Sequence, residues 1–172
     1  MKNEKNIILL MLLISVSSTT LAQRQKVSIS KDGAMVVNGD TIAYIEKEGC
    51  KMLSPSCQFF ITDDNNAIMI TATMRSFTDK ERPTPEFPEG VKVAYLVFSF
   101  QGMDATAEAD CPSMIVKEES VAKIVAQWRL IKDKRLDPEA VAQFITHYGN
   151  RYSEKERRQN QPSAIQVIQE MY

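Results

Sequence analysis

Apolar and polar residues alternate with a period of two through much of residues 26–109, and with a period near 3.6 after residue 113. Residues 26–30 alternate as a short strand, and Asp32-Gly33 marks a turn. Residues 34–37 and 41–45 flank Asn38-Gly39, a dipeptide that supplies at low cost the positive φ values of a tight hairpin turn. Residues 57–62 and 67–74 predict two more strands around the turn Asp63-Asp64-Asn65-Asn66. The longest alternation spans residues 91–100. Val93, Tyr95 and Val97 face one way there, and Ala94, Leu96, Phe98 and Phe100 the other. Apolar groups on both sides predict a central strand covered on both faces. Residues 104–109, after Gly102, predict a weak edge strand.

The second half changes period. Val121, Ile124, Val125, Trp128 and Ile131 fall on one helical face. Asp137-Pro138 is a helix start, with Asp as cap and Pro at the first helical position. Val141, Phe144, Ile145 and Tyr148 form a second stripe, closed by Gly149. Ser153 to Glu156 has the capping-box pattern. Ile165, Ile168 and Met171 predict a terminal helix after Pro162. Strands over about 26–109 followed by helices over about 113–171 predict an α+β domain. Its expected form is an antiparallel β-meander with two or three C-terminal helices packed on one face.

Residues 1–22 have a different pattern, that of a secretory signal peptide. Lys2 and Lys5 precede an unbroken apolar run over residues 7–14, small polar residues follow, and Thr20 and Ala22 suit the −3 and −1 positions of a cleavage site. The run is about half the roughly 20 residues that span a bilayer. Residues 23–172 then form a single globular domain, exported to the periplasm or the cell exterior with no transmembrane anchor after cleavage. The first cysteine is Cys50, far from the cleavage point, so lipoprotein processing is not expected.

Composition narrows the chemistry. The chain has 172 residues, 44% hydrophobic and 25% charged, which is ordinary globular usage. A net charge of −1 gives no electrostatic reason to expect nucleic acid. An exported chain meets oxidising conditions, so its three cysteines raise a disulfide. Cys50 and Cys57 bracket a short loop that Pro55 could bend, and Cys111 is the rival partner for either. No C-x-x-C spacing accompanies the one histidine, so no metal or cofactor is expected. Cys111 with His147 would be the thiol–imidazole pair of a nucleophilic enzyme, but no local signature marks them. Hydrolase, metalloprotease and nucleotide-binding motifs are absent. The most distinctive loop is Arg82-Pro83-Thr84-Pro85-Glu86-Phe87-Pro88-Glu89-Gly90. Its prolines predict stiffening towards polyproline II. Pro83, Pro85, Phe87 and Pro88 then form either a presented recognition segment or a rigid connector with Phe87 tucked onto the sheet.

The layout resembles small exported proteins of uncharacterised function from Bacteroidetes-type bacteria. The resemblance rests on the leader, the segment Val-Ser-Ile-Ser-Lys-Asp-Gly-Ala-Met-Val-Val-Asn-Gly-Asp-Thr-Ile-Ala-Tyr-Ile-Glu-Lys, the strand Val-Ala-Tyr-Leu-Val-Phe-Ser-Phe and the helix Leu-Asp-Pro-Glu-Ala-Val-Ala-Gln-Phe-Ile-Thr-His-Tyr-Gly. It implies export and brings no activity or functional residues. The expected function is a non-catalytic exported protein that binds another envelope or secreted protein. The alternatives are a small exported hydrolase or thiol enzyme, or a small-ligand binder using an uncovered sheet face.

Overall fold

The structure is a computed structural model that describes residues 25–50, 57–111 and 115–161. The leader expected over residues 1–22 and the helix expected after Pro162 lie outside the described residues, as does the loop 51–56 around Pro55. Among the described residues, seven strands form one sheet in chain order, every neighbour antiparallel. They are β1 (Val27–Ile29), β2 (Ala34–Val37), β3 (Asp40–Glu48), β4 (Gln58–Thr62), β5 (Ile68–Asp79), β6 (Val91–Phe100) and β7 (Thr106–Asp110). Then come α1 (Glu118–Gln127), the hairpin β8 (Ile131–Lys132) and β9 (Arg135–Leu136), α2 (Pro138–Tyr148) and α3 (Arg151–Asn160). The chain is α+β, with an antiparallel sheet followed by helices.

Local cues act where the sequence places them. Asn38 and Gly39 both take positive φ, 55° and 103°, in the β2–β3 turn. Asp137 caps α2 by accepting the Glu139 and Ala140 N–H groups at 3.0 and 3.2 Å. Cys50, just past β3, and Cys57, just before β4, form a disulfide with Cα atoms 4.2 Å apart. The β3–β4 ladder already holds these positions close, so the bridge needs no backbone movement.

The register sorts side chains onto two faces, because residues directly opposed in a ladder share a face. Ile45, Phe59, Ile61, Ile70, Ala72, Leu96, Phe98, Ala107 and Ala109 share the first face and are all buried. Val121, Ala122 and Val125 of α1 and Val141 and Phe144 of α2 join them in one core. Phe144 is fully buried, with its ring edge-on to Phe98 and Trp128 at 5.2 and 5.4 Å.

The expectation that all helices lie on one face is corrected by α3. Its Tyr152 ring stacks on Tyr95 at 4.8 Å and lies 6.3 Å from Phe77, and both partners are on the second face. The crossing happens at the β7 edge, where the Gly149 carbonyl accepts the Glu108 N–H at 2.8 Å. The chain turns there, with Gly149 at φ 53°, and α3 continues over the opposite side. Double coverage of β6 is therefore confined to the Tyr95 end, and Ser99 is exposed. A second correction concerns the first helical stripe. The helix ends at Gln127, Arg129 takes φ 52°, and Ile131 is buried from a strand. Asp133 and Lys134 turn the β8–β9 hairpin with φ 50° and 60°, without the Asn-Gly cue that would have announced it. Among the described residues, no helix is long and apolar enough to cross a membrane.

Candidate interaction site

The β5–β6 hairpin closes its ladder at Asp79 opposite Val91, and the chain between them forms a crest. The Asp79 carbonyl accepts the Arg82 N–H at 3.2 Å. Thr84 and Phe87 exchange N–H···O=C bonds of 3.0 and 3.1 Å, and Thr84 Oγ1 also accepts the Phe87 N–H at 3.1 Å. The Phe87 carbonyl then accepts the Gly90 N–H at 3.0 Å. Pro85 and Pro88 each occupy the second position of a tight turn, where a fixed φ near −65° suits them. Polyproline II has no internal hydrogen bonds. The crest is therefore a chain of turns, and the expected polyproline stiffening is corrected. Phe87 is not tucked onto the sheet: it is 56% exposed, and Pro83, Pro85, Glu86, Pro88 and Glu89 are exposed around it.

Gly90 returns the crest to the sheet at φ 118°. A Cβ there would lie 2.4 Å from the Asp79 carbonyl oxygen, so no larger residue fits without moving the strand end.

Asp79 is 2% exposed, and its carboxylate gathers both the crest and α3. It accepts from Arg82 Nε at 2.8 Å and the Glu81 N–H at 3.3 Å. From α3 it accepts Lys155 Nζ and Gln159 Nε2, each at 2.9 Å. Burial alone would raise its pKa, but the bonds from Lys155, Gln159 and Arg82 outweigh burial and hold the carboxyl well below the usual range. Lys155 also pairs with Glu81 at 2.9 Å.

The start of α3 is fixed by a second buried carboxylate. Glu108, 3% exposed, accepts the Tyr152 and Ser153 N–H groups at 2.7 and 2.9 Å. A strand side chain thus satisfies donors that the helix leaves unpaired. The capping box expected at Ser153 is corrected, since α3 already begins at Arg151 and the Ser153 hydroxyl donates to the Asn150 carbonyl. Asp110 accepts from the Tyr152 hydroxyl and from Arg151. Burial and the bond to Asp110 push the Tyr152 phenol up to about 12.

The other candidates lie elsewhere. Cys111 follows the last residue of β7 and is half-buried. His147 is exposed in the last turn of α2, its ring 4.9 Å from Trp128 and 4.7 Å from Tyr148. Those rings use the imidazole as a packing surface. In the acidic turn, Asp63 accepts the Asn65 and Ala67 N–H groups, and Asp64 pairs with Lys134 at 2.6 Å. An open depression of about 510 Å³ beside the β8–β9 hairpin is lined by Lys132, Asp133, Arg135, Leu136, Asp137 and Pro138, but the Asp137 carboxylate is committed to capping α2.

Sequence reading found the crest and missed Asp79, Glu108, Lys155 and Gln159, whose roles appear only once the register is known. Compared with known proteins, no family model matches the chain, and no curated protein or solved structure matches it.

Proposed function

We propose that the chain is an exported, non-catalytic binding protein whose β5–β6 crest engages another envelope or secreted protein, with Phe87 as the anchor. The observation that carries this reading is the 56% exposure of Phe87 on a loop braced by the Thr84–Phe87 and Phe87–Gly90 turn bonds. Isolated exposed apolar residues are common. A phenyl ring on hydrogen-bonded turns with proline at two of the corners differs, because much of the ordering cost of binding is already met in the free protein. Burying the ring returns about 25 cal/mol for each Å² of apolar surface removed from water. Glu86 and Glu89 are exposed on either side, so the partner it suits offers a phenyl-sized apolar pocket with basic groups at the rim.

Export is supported by the leader-like pattern of residues 1–22, by the resemblance to exported Bacteroidetes-type proteins, and by the Cys50–Cys57 bridge, which suits an oxidising compartment. The test compares immobilised wild-type and Phe87→Ala protein, each lacking residues 1–22, against envelope and secreted fractions of the source organism. The reading requires a protein enriched by the wild type and reduced about tenfold or more by Phe87→Ala. Identical captured sets remove Phe87 from the account.

A further inference from the structure

We infer that α3 sets the pose of the Phe87 turns through Asp79, which makes Asp79, Lys155 and Gln159 positioning residues for recognition at the crest. The inference rests on the binding reading above and adds to it what holds the site in shape.

Four bonds meet at one carboxylate from two separate parts of the chain. Arg82 Nε and the Glu81 N–H come from the crest, Lys155 Nζ and Gln159 Nε2 from α3. Gln159 joins the two sides twice, because its Oε1 also accepts the Lys80 N–H at 3.3 Å. Lys80 Nζ donates in turn to Asn160 Oδ1 at 3.1 Å. The far end of the crest returns at Gly90, packed against the Asp79 carbonyl. Both ends of the crest are therefore tied to the residue that α3 holds.

A hairpin tip joined to its sheet only by the strand ladder can pivot on that ladder. Here a pivot would break bonds to a helix that is itself fixed to β7 through Glu108 and Asp110. The pose of Phe87 is thus referenced to β7, the edge strand beside β6. The choice of residue supports this role. A buried ion pair gives little net stability over well-packed apolar groups. What a carboxylate adds is direction, since each of its hydrogen bonds has a preferred angle and length.

Hydrogen–deuterium exchange on the protein lacking residues 1–22 reads this directly, with no partner present. Lys155→Met combined with Gln159→Leu should speed exchange over residues 80–90 about tenfold, with β3, β4 and α2 unchanged. Gln159→Leu alone, which leaves the charge pairing intact, should give about threefold. Lys155→Arg should keep wild-type protection, and so should Arg158→Ala, an exposed change on the same helix. Unchanged exchange at residues 80–90, with faster exchange in α3, overturns the inference, because the turns then hold themselves. If the double variant unfolds, β3 and α2 also exchange fast, and Gln159→Leu alone decides. A failure here leaves Phe87-dependent capture untouched. A failure of capture leaves the exchange result standing, so the two claims fall separately.

Discussion

Asp79 occupies a strand position that points under a helix, where an aliphatic side chain would ordinarily sit. Its depressed pKa fixes the sign of its effect on stability. A carboxyl with a folded pKa below its unfolded value, about 3.9, stabilises above that value, and the contribution fades as pH falls through the folded pKa. The groups facing it are Lys155, Arg82 and Gln159, with Glu81 sharing Lys155. Asp79→Asn should therefore cost about 2–4 kcal/mol at pH 7, and urea unfolding should show the gap to wild type closing as pH falls from about 4 to 2. A gap that stays constant across that range would contradict the role given to the charge. Tyr152 works at the other end of the scale. Its phenol, raised to about 12, favours the folded state below the unfolded value of about 10, and that contribution is lost as pH rises from about 10 to 12. Tyr152→Phe should shrink the alkaline loss of stability, and a phenolate absorbance titration should show one fewer late-titrating tyrosine.

At the scale of elements, legibility depended on what holds each element in place. Turns and caps written in Asn-Gly, Asp-Pro and Gly were readable because backbone conformation alone demands them. The sequence predicts a strand ending at Met74, whereas β5 runs on to Asp79, and its buried apolar positions change parity on the way, from Ile70, Ala72 and Met74 to Phe77. That change marks the point where cover passes from α1 and α2 on one face to α3 on the other. Helix α3 itself carries no buried apolar stripe, so periodicity could not assign its face. It docks by Tyr152 and by hydrogen bonds to Glu108, Asp110 and Asp79, partners that lie about 40–80 residues away in sequence. The crest was visible as a proline cluster, but the turns that replace polyproline II depend on the Thr84–Phe87 pairing. One covalent element has a measurable effect. Closing a short loop between β3 and β4, the Cys50–Cys57 bridge should stabilise by about 2–3 kcal/mol in the chain-entropy account. Reduction, or Cys50→Ser with Cys57→Ala, should lower the denaturant midpoint accordingly, and an unchanged midpoint would mean the ladder alone sets that stability.

For the whole molecule, the sheet divides labour between its faces. One face builds the core with α1 and α2, and Phe144 packs at its centre. The other carries α3, which is spent on fixing the hairpin that presents Phe87. This arrangement suits a scaffold for a recognition loop, in which a rigid sheet and a cross-tied helix position a small apolar anchor. Phe87 is far enough exposed that removing it should leave folding within about 0.5 kcal/mol of wild type. Binding can then be separated from stability, and the direct test is the quantitative comparison of proteins captured from envelope and secreted fractions by wild-type and Phe87→Ala protein. The account predicts equal unfolding midpoints and a captured partner reduced about tenfold or more by the substitution. Equal midpoints with identical captured proteins would contradict it.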